Sequence, residues 1–100
     1  MASRKKTERY VVVTTDLNRR GVFGGILESA KGDAAVLRDA RMCVYWSRET
    51  KGVVGLAAIG PQEGSRISAP APRIEINGVT AIMDCTPEAR ALWESAPWSV

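Results

Sequence analysis

The chain has 100 residues, of which 45% are hydrophobic and 25% charged, and it contains no histidine. One domain with a modest core fits this length, and the missing histidine removes the commonest general base and the commonest zinc ligand. No apolar run reaches the about 18 residues of a membrane-spanning helix, so we expect a cytoplasmic protein with no membrane contact, no metal and no cofactor.

The positive net charge of +3 is concentrated in the first residues of the chain. Residues 1–20 contain six basic and two acidic side chains, whereas residues 21–85 contain seven of each. We therefore predict a flexible basic arm over residues 1–8, followed by a single β-rich domain over residues 9–100. Both a solvated tail and an arm that binds nucleic acid fit such a charge distribution.

Two strands are predicted after the arm. The β-branched and aromatic run RYVVVTT predicts a strand over residues 9–15, and the run GVFGGILES predicts another over residues 21–29. Gly24 and Gly25 interrupt the second strand, which is typical of a bulge or of a place where another backbone approaches closely.

A hairpin turn at residues 31–33 leads into the sequence AAVLRDARMCVYW. This sequence predicts a third strand that starts at Ala34. After a break near Asp39 and Ala40, a fourth strand is predicted to continue to Trp46.

Residues 52–59 fit a short helix or another strand, and the helix is favoured because Val53, Leu56 and Ala57 share one helical face. Residues 62–72 have the composition of a loop, with prolines that hold the backbone extended. The pair Asn77-Gly78, between two alternating segments, is typical of a β-hairpin, and a single bulged strand is the alternative.

A second helix is predicted to begin at Thr86, a good N-cap, with Pro87 at its first position. Leu92 and Trp93 form the face that should dock on the sheet, and Trp98 is expected to dock after the helix ends. Together the elements predict a mainly β protein: a small, strongly bent sheet or SH3-like barrel of five to six strands with a C-terminal helix.

Arginines and aromatic residues crowd together near the end of the predicted fourth strand. Guanidinium groups bind anions with paired hydrogen bonds, and aromatic faces stack on flat groups. Packing in the core is the alternative interpretation of the aromatic pair. The candidate residues for binding a ligand or partner are Arg41, Tyr45, Trp46 and Arg48, together with Ser65 and Arg66 in the later loop.

Strand alternation divides this region between two faces. One face is the more apolar and is expected to pack inward, which leaves the other face open to a ligand or partner. The inward face carries Met42, Val44 and Trp46, and the open face carries Arg41, Cys43 and Tyr45.

The sequence favours binding over catalysis. It contains no nucleophile elbow GxSxG, no Walker-type or GxGxxG phosphate loop, and no histidine to activate a serine. Cys43 and Cys85 lie in apolar runs and are expected to be reduced, buried thiols. We therefore predict no catalytic residue and no enzyme activity.

Several segments, in their order and spacing, resemble a family of small uncharacterised proteins of tailed phages and prophages. The segments are YVVVTT, GVFGGILES, AVLRDAR, YWS, GLAAIG and RIEI with VTAIMDCTPEARALWESAPW, and they cover about residues 9–98. The resemblance implies an accessory role in the cytoplasm of a host cell. We expect interference with a host process, antiviral defence in particular, either by sequestering a small nucleotide signal or by blocking a host protein.

Residues 9–41 also resemble the start of an SH3-like or Sm-like barrel, through the segments GIL and LRDA. Sm-like barrels join edge strands into rings and bind nucleotides between subunits. Because few charges protect the first two predicted strands, we expect a homo-oligomer joined through an edge strand or the GVFGG segment. The alternative functions are a nucleic-acid-binding β-barrel and a virion or assembly component.

Overall fold

A computed structural model describes residues 8–16 and 21–98 of the chain, so the predicted basic arm lies outside the described residues except for its last residue, Glu8. The strands are β1 (Tyr10–Thr15), β2 (Val22–Lys31), β3 (Ala34–Tyr45), β4 (Arg66–Ile67), β5 (Ala71–Asn77) and β6 (Val79–Asp84). The helices are α1 (Gly52–Ala58) and α2 (Pro87–Ser95), and a 3₁₀ turn over Arg48–Thr50 precedes α1. This is the predicted mainly β fold with a C-terminal helix. Within the described ranges no helix has the length and apolar character needed to cross a membrane.

The strands pair antiparallel in an order that returns on itself. β1 pairs with β2, β2 with β3, and β3 with β5. The chain continues from β5 through Gly78 into β6, which pairs with the free side of β1. β4 adds a short ladder at the end of β3. The sheet is therefore strongly bent, and β5 and β6 together connect β3 back to β1.

The predicted hairpin at Asn77 and Gly78 is wrong, and the alternative of one interrupted strand is closer, because Gly78 alone separates β5 from β6. β5 pairs with β3 and β6 pairs with β1, so the two segments do not form a ladder with each other. Gly78 has a φ of 78°, a conformation that glycine adopts without steric cost. The Asn-Gly pair favours a tight turn locally, but the long ladders that β1 and β3 offer decide the pairing.

β3 is one continuous strand, although the sequence predicts two strands separated by a break. The break survives as a local irregularity, because Asp39 has a φ of 53° and the register of β2 on β3 shifts between Gly24 and Ile26. Ladders with β2 on one side and β5 on the other hold β3 together across this bulge.

The paired glycines of β2 confirm the predicted bulge and close approach. A Cβ atom on Gly24 would lie 2.7 Å from the Trp93 ring, and one on Gly25 would lie 3.0 Å from the Cα atom of Ala40. Because both distances are below van der Waals contact, a larger residue would push α2 or β3 away. β2 has β1 on one side and β3 on the other, so the GVFGG segment has no free edge. Assembly through another edge stays a prediction.

Buried side chains form two clusters, one on each face of β1. Tyr10 and Val12 belong to the first cluster, and Val11 and Val13 belong to the second. The first cluster also contains Trp93 and lies under both helices. Burial on both faces explains why β1 is a continuous apolar run rather than an alternating one.

α2 begins as predicted, and its tryptophan docks as predicted. Thr86 Oγ1 accepts a hydrogen bond from the backbone N–H of Ala89 at 3.0 Å, which caps the helix. Trp93 is fully buried, and its Nε1–H donates to the Leu56 carbonyl of α1 at 2.9 Å. Leu92, by contrast, is 39% exposed. Successive helical residues point about 100° apart, so this short helix buries one stripe only.

Candidate functional site

The structure reverses the predicted orientation of β3 at Arg41. Arg41 is only 4% exposed and Cys43 is buried, whereas Val44 is 53% exposed. The prediction of an open face and an inward face is therefore wrong for Arg41, Cys43 and Val44, whereas Tyr45 is exposed as predicted. Apolar content misleads here because α2 covers the Arg41 face and offers backbone carbonyls that accept hydrogen bonds from the guanidinium.

The end of β3 forms a separate surface, which we call the aromatic strand end and define by Val44, Tyr45 and Trp46. Tyr45 is 53% exposed, and Trp46 is half-buried against the first core cluster. The three residues line an open depression of about 330 Å³. Arg48 is exposed at the start of the 3₁₀ turn. Arg41 lines a different cavity, so the predicted constellation is split in two.

The loop that carries the candidate binding residues Ser65 and Arg66 forms hydrogen bonds within the protein. Ser65 Oγ accepts a hydrogen bond from the backbone N–H of Ser47 at 3.0 Å. The backbone N–H of Ser65 donates to the Gln62 carbonyl at 3.0 Å, so it is not available to an anion. Arg66 is exposed and lies opposite Tyr45 in the β3–β4 ladder. Ser65 therefore holds the loop in place.

A cavity of about 470 Å³ lies between β1, β3 and the C-terminal end of α2. We call it the Arg41 pocket. Its walls include Tyr10, Asp39, Arg41, Pro70 and Trp98, and the last residues of α2 complete it. Of the residues that the sequence singles out for binding, Arg41 alone lines this pocket.

Arg41 is a buried cation whose hydrogen bonds all go to neutral groups. Its Nε–H donates to the Ser68 carbonyl and its Nη1 group donates to the Trp93 carbonyl, each at 2.8 Å, with a longer contact of 3.5 Å to the Glu94 carbonyl. Nη2 is buried and has no partner among the described residues. Burial lowers the pKa of Arg41, yet arginine stays protonated in proteins. An unpaired buried donor on a cation costs free energy that an anion would recover.

Tyr10 supplies a second unsatisfied donor to the same pocket. The side chain is buried, and its hydroxyl has no partner among the described residues. The Arg90 guanidinium lies over the ring, 5.3 Å from its centroid. Burial raises the pKa of Tyr10, so the phenol stays neutral and can donate its proton in a hydrogen bond. Tyr10 and Arg41 thus line the same cavity, and each has a buried donor without an acceptor among the described residues.

Asp39 is the strained residue of the pocket wall. Its φ of 53° falls in the left-handed region, which aspartate tolerates better than most residues but which is uncommon within a strand. The carboxylate is exposed and lies 3.8 Å from the Arg38 guanidinium. Such strain is often found at binding sites, and here it lies beside the buried cation.

Trp98 forms an exposed flat wall. Its backbone makes an isolated parallel bridge to Ile67 of β4, but the side chain is 70% exposed. The prediction that Trp98 docks therefore holds for the backbone and is wrong for the ring. An exposed indole beside a cavity can stack on a planar ligand group.

An ion-pair network surrounds the pocket and engages the neighbouring cations. Glu8 accepts from Arg38 at 3.1 Å and from Arg90 at 3.2 Å, and these hydrogen bonds lower the pKa of Glu8. Arg90 also donates to the Glu94 carboxylate at 2.9 Å, and Arg38 donates to Glu28 at 2.9 Å. Their charges are therefore balanced locally, which leaves Arg41 as the cation in the pocket wall.

The two cysteines are free thiols, and the prediction of burial is confirmed for Cys43 but is wrong for Cys85, which is partly exposed. Burial raises the pKa of Cys43 to about 11 and that of Cys85 to about 12, so both stay protonated at neutral pH and react slowly. Among residues 8–16 and 21–98, no three potential metal ligands of the His, Cys, Asp and Glu types lie close together.

A family model described as a domain of unknown function, DUF6948, matches residues 8–93. The chain belongs to the DUF6948 family. Neither a curated protein nor a solved structure matches the chain. The DUF6948 match contains Tyr10, Asp39 and Arg41, whereas Trp98 lies beyond its end. The family description states no activity, so a functional proposal rests on the pocket itself.

Sequence reasoning missed Tyr10, Asp39 and Trp98 as pocket residues. Tyr10 looks like an ordinary strand residue, and its unpaired hydroxyl is a property of the packed fold only. Asp39 carried a signal, because an acidic residue that breaks an apolar strand is unusual. Trp98 also carried one, since a tryptophan after the last helix needs either a docking site or a ligand.

Proposed function

We propose that this DUF6948 protein is a non-catalytic binding protein that holds a small anionic ligand in the Arg41 pocket. One observation carries the proposal: Arg41 and Tyr10 both line one cavity, and each has a buried polar group with no partner among the described residues, Nη2 and the hydroxyl. Buried polar groups in proteins are nearly always paired. Two unpaired donors in one pocket are therefore best explained by an acceptor that arrives with a ligand.

A nucleotide is the ligand class that fits the pocket. Its phosphate would accept hydrogen bonds from Arg41 and Tyr10, and its base would stack on Trp98. The cavity of about 470 Å³ falls within the range of small-molecule sites, roughly 300–1,000 Å³. We therefore assign the role of stacking on the base to Trp98, whereas the sequence favours Tyr45 and Trp46 for it.

The pocket binds without moving protons. A guanidinium and a buried phenol both keep their protons at neutral pH, so neither acts as a general base. Sequestration of a nucleotide is the mechanism that follows. Interference with a host process, including antiviral defence, rests on the resemblance to phage and prophage proteins and stays a prediction.

Blocking a host protein is the second candidate function. It is supported by the aromatic strand end, where Val44 and Tyr45 are both more than half exposed, since exposed aromatic residues are enriched at protein interfaces. Nucleic-acid binding by the described domain has less support. Arg9, Arg38, Arg73 and Arg90 each form an ion pair with a carboxylate, which reduces the charge available to phosphates.

Calorimetric titration of the full chain with the 3′,5′-cyclic monophosphates and the 5′-monophosphates of adenosine and guanosine tests the proposal. We expect saturable binding of at least one nucleotide and an about tenfold weaker affinity in Tyr10→Phe, the loss of one hydrogen bond. Tyr45→Phe is the matched control, since it removes an exposed hydroxyl outside the pocket, and it should bind like the wild type. Absence of binding, or equal affinity in Tyr10→Phe and the wild type, would refute the proposal.

A further inference from the structure

The charges in the wall of the Arg41 pocket are unequal. Among the described residues of the wall, Arg41 is the one cation, and Asp39 and Glu94 are two acids. The Glu94 carboxylate accepts a hydrogen bond from Arg90 at 2.9 Å, so its charge is compensated. The Asp39 carboxylate has only a 3.8 Å contact with Arg38, and Arg38 is already paired with Glu8 and Glu28. Asp39 therefore keeps accessible negative charge beside the anion-binding donors.

A second negative charge on the ligand would find no further cation among the residues of this wall that the structure describes. Carboxylates near a ligand anion repel it, and the repulsion increases with the number of charges that the ligand carries. A hydroxyl or amino group on the ligand would instead donate to Asp39. The wall thus accepts one negative charge and a neighbouring hydrogen-bond donor.

Resting on the function proposed above, we infer that the Arg41 pocket selects a nucleotide with a single negative charge, a phosphodiester, and that Asp39 is the residue that rejects phosphomonoesters and polyphosphates. A phosphomonoester carries about −1.5 to −2 charges at pH 7, whereas a phosphodiester carries one. The phosphodiester accepts hydrogen bonds from Arg41 and Tyr10. A sugar hydroxyl or a base amino group of the same ligand donates to Asp39.

The backbone at Asp39 agrees with a role in selection. A φ of 53° within β3 is a conformation in which Asp and Asn are several-fold enriched over other non-glycine residues. The carboxylate is exposed, and its 3.8 Å ion pair with Arg38 is too long for a hydrogen bond, so its contacts with the described residues contribute little to folding. Asp39→Asn keeps both the shape and the backbone preference, and it removes only the charge.

The test compares three adenine or guanine nucleotides that differ in charge: the 3′,5′-cyclic monophosphate, the 5′-monophosphate and the 5′-triphosphate. Calorimetric titration at pH 7.5 should give the cyclic nucleotide at least about tenfold tighter binding than the 5′-monophosphate, with the triphosphate weakest. In Asp39→Asn the preference for the cyclic nucleotide over the other two should be about tenfold smaller, because the monophosphate and the triphosphate bind this variant more tightly than the wild type.

Asp84→Asn is the matched control, since Asp84 is an exposed aspartate on β6 outside the pocket. It should keep the wild-type preference. Equal or tighter binding of the triphosphate by the wild type, or an unchanged preference in Asp39→Asn, would overturn the inference while leaving nucleotide binding intact. Failure of all three nucleotides to bind would instead remove the function on which the inference rests.

Discussion

Two parts of β3, the segment at Arg41 and the aromatic strand end, differ in how well their exposure and hydrogen bonding indicate a binding site. At Arg41 the strand is covered by α2, and a charged side chain is buried with donors to spare. At the aromatic strand end, Tyr45 and Val44 reach solvent and few contacts hold them. In the sequence, the candidate binding residues are concentrated around Tyr45. In the folded protein, however, the buried donor without a hydrogen-bond partner belongs to Arg41. Exposure of suitable residues is common, whereas a buried donor without an acceptor is rare.

The largest effect is expected on the free energy of unfolding when Trp93, which holds α2 over Arg41, is removed. Trp93→Ala should lower the free energy of unfolding by about 3–5 kcal/mol, the usual range for a large buried aromatic residue. Trp98→Ala, which removes an exposed ring, should change it by less than about 0.5 kcal/mol. Urea unfolding followed by circular dichroism measures both. Similar costs for the two tryptophans would contradict the docking of α2 through Trp93.

Arg41→Ala and Tyr45→Ala compare the two parts of β3 directly. Arg41→Ala should cost about 2–3 kcal/mol, because the carbonyls of Ser68 and Trp93 lose a charged donor in a buried place. Tyr45→Ala should cost less than about 0.5 kcal/mol. The same unfolding experiment gives both values. A neutral Arg41→Ala variant would mean that the guanidinium contributes nothing to holding α2.

Tyr10→Phe should separate stability from binding within the pocket. The hydroxyl of Tyr10 is buried without a partner, so its removal should leave the ligand-free protein as stable as the wild type or up to about 1 kcal/mol more stable. Thermal unfolding without ligand measures this change. A clear loss of stability would show that the hydroxyl has a structural partner.

The smallest effect at neutral pH is expected at Cys43, on the buried side of β3. Its pKa is raised from 9.0 to about 11, so the thiol is favoured in the folded protein. Below pH 9 both states keep the proton and stability is unaffected. Between pH 9 and about 11 the unfolded chain loses the proton first, and stability falls.

Urea unfolding at four values from pH 8 to 11, for the wild type and Cys43→Ala, isolates this contribution. Tyr10 and Cys85 also have raised pKa values, but they are present in both proteins and cancel in the difference. The two proteins should respond alike up to pH 9 and diverge above it. Parallel curves over the whole range would show that Cys43 is accessible to water.

Local rules predicted much of the fold but little of the pocket. The N-cap at Thr86 and the bulge at Gly24 follow from chemistry within a few residues, and both were predictable. The wrong prediction of a hairpin at Gly78 could not be corrected from local sequence, because the partners of β5 and β6 are strands distant in the chain. The burial of Arg41 depends on carbonyls of α2 more than fifty residues later, which no local pattern can reveal.

The bend at Gly78 also has a consequence for how the chain folds. It delivers β6 to β1, so that Val11 lies opposite Asp84 and the two ends of the domain must meet before the sheet is complete. Pairings this distant in sequence slow folding, typically to milliseconds or seconds. During synthesis on the ribosome, β1 must wait for residues 79–84 before its second edge is covered. Until then that apolar edge is open to other chains, and a translation product that stops before β6 would aggregate rather than fold.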